Sequence, residues 1–183
     1  YSSGLYSALN FRSVGPAFTA GRIADIAVNP NNHSEYYLAV ASGGVWKTTN
    51  AGTTYHPIFD GQSSYSIGCV TIDPNNSNVV WVGTGENNNQ RSVAYGDGIY
   101  KSLDGGKSWK NMGLKKSEHI GNIIVHPNNS NVVYVAAYGP LWSEGGDRGV
   151  YKTEDGGETW KKILDISKNT GIAEIRMDPR DPN

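Results

Sequence analysis

A nine-residue phrase recurs along this chain and restricts its fold more than any other feature. Lys101-Ser102-Leu103-Asp104-Gly105-Gly106-Lys107-Ser108-Trp109 returns as Lys152-Thr153-Glu154-Asp155-Gly156-Gly157-Glu158-Thr159-Trp160. A looser copy stands at Lys47-Thr48-Thr49-Asn50-Ala51-Gly52-Thr53-Thr54-Tyr55. Each copy sets a hydroxyl residue, Asp or Asn, Gly and an aromatic at one fixed spacing: Ser102, Asp104, Gly106, Trp109; Thr153, Asp155, Gly157, Trp160; Thr48, Asn50, Gly52, Tyr55. The Asp or Asn recurs after 54 and then 51 positions. A period of this length marks a stacked supersecondary unit.

A second landmark keeps the same period. Apolar runs close on proline at Pro30, Pro74, Pro127 and Pro179, spaced by 44, 53 and 52 positions. Helical periodicity is absent, and β-branched and aromatic residues fill the runs. Each unit reads as four strands: the run before the proline, a second run after a Pro-Asn turn, a third ending at Lys-Ser or Lys-Thr, and a fourth leaving the box aromatic. The expected fold is all-β, a β-propeller of four-stranded antiparallel blades. The expected blades are residues about 21–60, 67–114 and 120–166, with the start of a further blade at 172–183. The whole of 1–183 is then a partial propeller. Three blades and a fragment do not close a ring, so the remainder is expected from a longer chain or from other chains. Residues 9–14 suit an outer strand donated to the last blade.

Composition narrows the partners. Formal net charge is −1 with no basic run, which argues against nucleic acid and anionic membrane surfaces. No apolar run approaches the ~20 residues of a membrane span. Cys69 is the single cysteine, so no intrachain disulfide or thiolate cluster forms, and it reads as a small buried hydrophobe. No His or carboxylate spacing suggests a metal, and no cofactor is expected. Tyr1-Ser2-Ser3-Gly4 lacks the pattern of a signal peptide but suits the residues after a removed one.

The box reads as a turn. Asp104 and Asp155 accept backbone N–H bonds, the glycines supply positive φ, and Trp109 and Trp160 re-enter the blade as anchors. The Asn-x-Ser phrases at Asn32, Asn75 and Asn128 fall at one turn of each unit, so turn chemistry accounts for them.

The pattern resembles the Asp-box, or BNR repeat, of sialidases and related propellers. Gly21-Arg22-Ile23, Gly43-Gly44-Val45-Trp46-Lys47, Gly83-Thr84-Gly85-Glu86-Asn87 and Tyr151-Lys152-Thr153-Glu154-Asp155 together look like the large secreted bacterial BNR-repeat proteins labelled glycosyl hydrolase or sortilin-like. The resemblance implies a secreted, periplasmic or cell-surface location. It also raises enzyme activity. The Arg-Ile-Pro phrase of sialidases is broken here, because Ala24 follows Arg22-Ile23. Propeller xyloglucanases carry a catalytic Asp two positions before a Gly-Gly; the matching position is Ala41, which exchanges no protons. The resemblance therefore favours a non-catalytic propeller that binds a protein or glycan, or serves as a scaffold in an envelope assembly. The alternative is a glycoside hydrolase with catalytic residues partly outside the chain.

The site candidates come from the connections between second and third strands. The second unit inserts residues 86–97 and the third residues 138–148. Insertions on one side of a repeat mark a binding side. Glu86, Glu144 and Asp147 are the candidate catalytic carboxylates. Arg22, Arg91, Tyr95, Tyr138, Trp142 and Arg148 are the candidate ligand contacts, with Arg22 either facing the channel or pairing with Asp25 or Glu86. His119 reads as a hydrogen-bonded loop histidine, and His126 as a turn residue in the place of Asp73 and Asp178.

Overall fold

A computed structural model describes residues 21–87, 93–178 and 180–182. The donated strand expected at 9–14 and the candidate Arg91 lie outside these residues. The described chain is all-β, built of three four-stranded antiparallel sheets in the manner of an incomplete β-propeller. The first sheet runs β1 (Ile23–Val28), β2 (Tyr36–Val40), β3 (Gly44–Thr48) and β4 (His56–Pro57). The second runs β5 (Ile67–Asp73), β6 (Asn76–Thr84), β7 (Ile99–Ser102) and β8 (Lys110–Gly113). The third runs β9 (Ile120–His126), β10 (Asn129–Ala137), β11 (Gly149–Thr153) and β12 (Lys161–Leu164). Each sheet pairs its strands in chain order, an up-and-down meander.

Alternation within the strands produces the cores. In β6, Val80 and Val82 face the first blade and pack with Tyr37, Val45, Phe59, Ile67 and Tyr100. Val79 and Trp81 face the third blade and pack with Ile120, Ile123, Val133, Val135 and Tyr151. A middle blade is thus apolar on both faces, because a blade lies against each side. On β1 the described residues cover one face: Ile23, Ile26 and Val28 are each about half exposed. Cys69, on β5, is buried in the core shared with the third blade, and burial pushes its thiol well above the usual range, so it is inert.

The turn after each first strand uses one geometry with three chemistries. Asn29 Oδ1 accepts from Asn31 N–H at 3.0 Å, Asp73 Oδ1 from Asn75 N–H at 2.8 Å, and His126 Nδ1 from Asn128 N–H at 3.1 Å. His126 serves because an unprotonated Nδ1 is an acceptor at the same reach as a carboxylate oxygen. Asp178 Oδ1 repeats the bond to Arg180 N–H at 2.9 Å, although residues 172–178 form no strand. The turns are tighter than expected in the second and third blades. Asp73 pairs with Asn76 and His126 with Asn129, leaving two residues in each loop.

The box does more than turn the chain. In the second copy Ser102 Oγ accepts from Gly106 N–H at 2.8 Å, and Asp104 Oδ1 accepts from Ser102 Oγ–H at 2.8 Å and Ser108 N–H at 2.9 Å. The third copy repeats these bonds at 3.0, 2.7 and 2.9 Å with Thr153, Gly157, Asp155 and Thr159. The box then locks onto the preceding blade. Lys47 Nζ donates to Gly105 O at 3.1 Å and Lys101 Nζ to Gly156 O at 2.9 Å. In return Trp109 Nε1–H donates to Ile58 O at 2.8 Å and Trp160 Nε1–H to Met112 O at 2.7 Å. The box, read from sequence as a turn, therefore also forms a clasp between blades.

Candidate functional site

Strand direction divides the loops between two ends of the sheets. The proline turns and the boxes share one end. The second-to-third insertions share the other with the links from each fourth strand to the next first strand. The described parts of the second insertion (85–87 and 93–98) and loops 114–119, 138–148 and 165–171 therefore open at one end, away from Asp104 and Asp155.

Arg148 organises the third insertion. It is 7% exposed, and its guanidinium faces four backbone carbonyls: Nε–H donates to Gly145 O at 2.7 Å, Nη1–H to Tyr138 O at 2.8 Å, and Nη2–H to Pro140 O and Ser143 O. A planar fork is the one side chain that ties four carbonyls at once. Arg148, expected among the ligand contacts, lines the groove described next but spends four of its five N–H donors on its own loop. Asp147 is tied as well: Oδ2 accepts from Lys116 N–H at 3.0 Å. Held this way, the loop lifts Trp142 into solvent at 70% exposure.

Beneath Trp142 runs an open groove of 1070 Å³. Tyr138, Leu141, Trp142 and Glu144 line one side, and Asn169 and Thr170 the other. Glu144 is the one carboxylate on it, exposed and paired with Lys168 at 2.6 Å. Asn169, Thr170 and Lys168 were not among the sequence candidates. The signal was available, since a link from fourth to first strand must open on the same end as the insertion.

The second insertion is built differently. Glu86 is 1% exposed and its carboxylate pairs with Arg22, the partner named as an alternative from sequence. Its backbone N–H donates to Ser66 Oγ at 2.9 Å, and its carbonyl O lies 2.7 Å from His119 Nδ1. A carbonyl has no proton to give, so Nδ1 carries the hydrogen and Nε2 is bare. His119 has no exposed surface, and that burial pulls its pKa below the ordinary value, keeping it neutral. Arg22, Glu86 and His119 thus tie the first, second and third blades together. Tyr95 stays 60% exposed, edge-on to the His119 ring at 6.0 Å. Asp97 is engaged by Ser63 Oγ and by Tyr100 OH at 2.6 Å. Burial first, and then that bond, raise the Tyr100 pKa.

Ala41, just past the end of β2, is buried, and its N–H donates to Arg22 O at 2.9 Å. Gly85 and Tyr138 make the matching bonds to Ser66 O at 2.7 Å and His119 O at 3.0 Å. Among the described residues no three His, Cys, Asp or Glu side chains gather as metal ligands, and no helix is long and apolar enough to cross a membrane.

No protein-family model matches the chain. Among curated proteins it is similar to a xyloglucanase of Hypocrea jecorina, 24% identical over 192 residues that cover 97% of this chain and 22% of that protein. It is also similar to a probable oligoxyloglucan-reducing end-specific xyloglucanase of Neosartorya fischeri, 24% identical over 148 residues, 76% of this chain and 17% of the relative. The chain thus spans about a fifth of the length of the curated relatives it matches. Among solved structures it resembles an ancestral GH74 enzyme, with TM-score 0.66, 22% identity, and coverage of 83% of this chain and 19% of that one. The GH74 enzyme of Niastella koreensis gives TM-score 0.58 at 28% identity over 75% of this chain and 20% of its own. YCF48 bound to D1 peptide gives TM-score 0.57 at 15% identity over 83% of this chain and 43% of its own. These likenesses establish the β-propeller fold.

Proposed function

We propose that the chain is part of a secreted or periplasmic Asp-box propeller that binds a glycan in the groove over its third blade. The observation that carries this reading is the exposed Trp142 above a groove with a single carboxylate. An indole face stacks on a sugar ring, while Tyr138, Glu144, Asn169 and Thr170 supply hydroxyl partners. Glycoside hydrolysis takes two carboxylates flanking one bond. Of the candidate carboxylates, Glu86 is buried against Arg22, Asp147 is held by Lys116 N–H, and Glu144 alone lines the groove. The similarity to xyloglucanases makes xyloglucan oligosaccharides the first probe.

A second reading rests on that same similarity: a glycoside hydrolase whose second carboxylate lies outside the described residues. Calorimetric titration of the full-length protein with xyloglucan oligosaccharides, with reducing-end assay of the same samples, separates the two. Binding without release of reducing ends, weakened about tenfold by Trp142→Ala, supports the binding propeller. Release of reducing ends that disappears in Glu144→Gln would establish the hydrolase instead. Undiminished binding in Trp142→Ala would remove the groove from consideration.

A further inference from the structure

A second cavity, of 420 Å³, lies where the first strands of the blades converge. Its polar walls are Asp25, Asn87, Asn122, Tyr138, Glu174 and Arg176. Its backbone floor follows from the sequence of the first strands. The second position of β1, β5 and β9 is small, at Ala24, Gly68 and Gly121, and Ala173 stands at the matching place in the segment 172–178. A Cβ on Gly68 would overlap Ile120 O, and one on Gly121 would overlap Ala173 O, so β9 approaches β5 on one side and the segment 172–178 on the other as only glycine allows. The next position then turns Asp25, Asn122 and Glu174 toward the same space.

The electrostatics of this space are nearly balanced. Asp25 accepts from Ile26 N–H at 2.8 Å and Val70 N–H at 3.0 Å, and Glu174 pairs with Arg176. Burial, and then the Glu174 charge, raise the Tyr138 pKa, so its hydroxyl remains protonated and free to donate. Asn122 Oδ1 is buried beside this space with no hydrogen-bond partner among the described residues, an acceptor left to be satisfied. The walls therefore mix donors and acceptors with little net charge and offer no broad apolar face. Such walls suit a neutral polyhydroxylated ligand better than an ion or an apolar one. The volume falls at the small end of the ~300–1,000 Å³ of small-molecule sites. Tyr138 also lines the groove under Trp142, so the two spaces share a wall.

We propose that this cavity is a separate subsite for a single sugar unit, held by hydroxyl hydrogen bonds and joined to the Trp142 groove across Tyr138. It rests on the glycan reading of that groove. The test is saturation-transfer NMR and titration of the full-length protein with D-xylose, D-glucose and xyloglucan oligosaccharides, comparing Asn122→Leu, Glu174→Gln and Trp142→Ala. Glu174 is exposed, so its variant keeps the fold. Monosaccharide binding weakened about tenfold by both cavity variants, and unchanged by Trp142→Ala, supports the subsite. Oligosaccharide binding through Trp142 with no monosaccharide binding, or with monosaccharide binding indifferent to Asn122→Leu and Glu174→Gln, overturns the subsite and leaves the groove. Wild-type protein that binds no oligosaccharide overturns both.

Discussion

Trp160 and Trp142 belong to the same blade and lie at opposite ends of it. Trp160 follows the box, donates its indole N–H to Met112 O and packs edge-on against Trp81 at 6.3 Å. Trp142 rides on a loop shaped by Arg148 and meets solvent. One residue type thus serves as inter-blade mortar and as an exposed platform. Repeating geometry surrounds the first, whereas the loop around the second occurs in one blade only. The difference teaches that recurrence in this chain marks stability, and departure from recurrence marks the surface proposed to bind.

Trp160→Ala should give the largest effect. It removes the indole half of the clasp and opens a void beside Trp81, and is expected to lower unfolding free energy by about 3–5 kcal/mol in urea titrations. Trp142→Ala should stay within about 0.5 kcal/mol of wild type in the same titration. Equal losses from the two would break the comparison.

Arg148→Lys comes next, because an ammonium cannot span four carbonyls. A loss of about 1–3 kcal/mol and faster hydrogen exchange confined to residues 138–147 are expected. Uniform protection across that loop would show that Arg148 does not shape it.

The first box offers a finer test. Ala51 stands where the other copies have Gly105 and Gly156, yet it takes the same left-handed conformation at φ 55°, against 69° and 73°. A Cβ there is unfavourable, so Ala51→Gly should stabilise by about 1 kcal/mol. No gain in thermal unfolding would mean that the first box relaxes in a way the others do not.

The smallest effect concerns charge. Asn50 reproduces the aspartate bonds by reversing one of them. Its Oδ1 accepts from Thr54 N–H at 2.9 Å, but its Nδ2 donates to Thr54 Oγ at 3.0 Å, where Asp104 Oδ2 accepts from Ser108 Oγ–H at 2.6 Å. A hydroxyl does either, so Asp104→Asn should keep the turn and nearly all stability at neutral pH. The Ser108 hydroxyl, its N–H and the Ser102 hydroxyl hold the Asp104 carboxyl down at about 2, from an ordinary 3.8. The folded pKa is depressed, so this stabilisation is full above 3.8 and fades as pH falls through 2. Asp155 lies lower still, with the Thr159 hydroxyl the largest cause. Melting temperature followed from pH 5 to pH 2 should fall less steeply in Asp104→Asn than in wild type. Parallel curves would place the acid sensitivity elsewhere.

The blade repeat was legible because its causes are local. Pro fixes φ, Asn and Gly tolerate the left-handed region, and alternation needs only neighbouring residues. Even the His126 turn was readable in this way. The box clasp was not, since Lys101 and Gly156 are brought together only by two blades packing. The proposed site was partly legible: strand order put the insertions on one end and so pointed to Tyr138, Trp142 and Glu144. It could not tell Arg148 the ligand contact from Arg148 the loop staple, because residue type gives donors without their destinations.

The sequence by itself determined the all-β repeat, the blade register and the end of the sheets that carries insertions. Only the tertiary structure decided which polar side chains remain available. Arg148, Glu86, Asp97 and His119 are spent on groups brought near by folding, whereas Trp142 and Asn169 are left facing a groove and Glu144 reaches it paired only with the exposed Lys168. The physical reason is that a buried polar group must be paired, and the partner comes from whatever the packed chain places within about 3 Å.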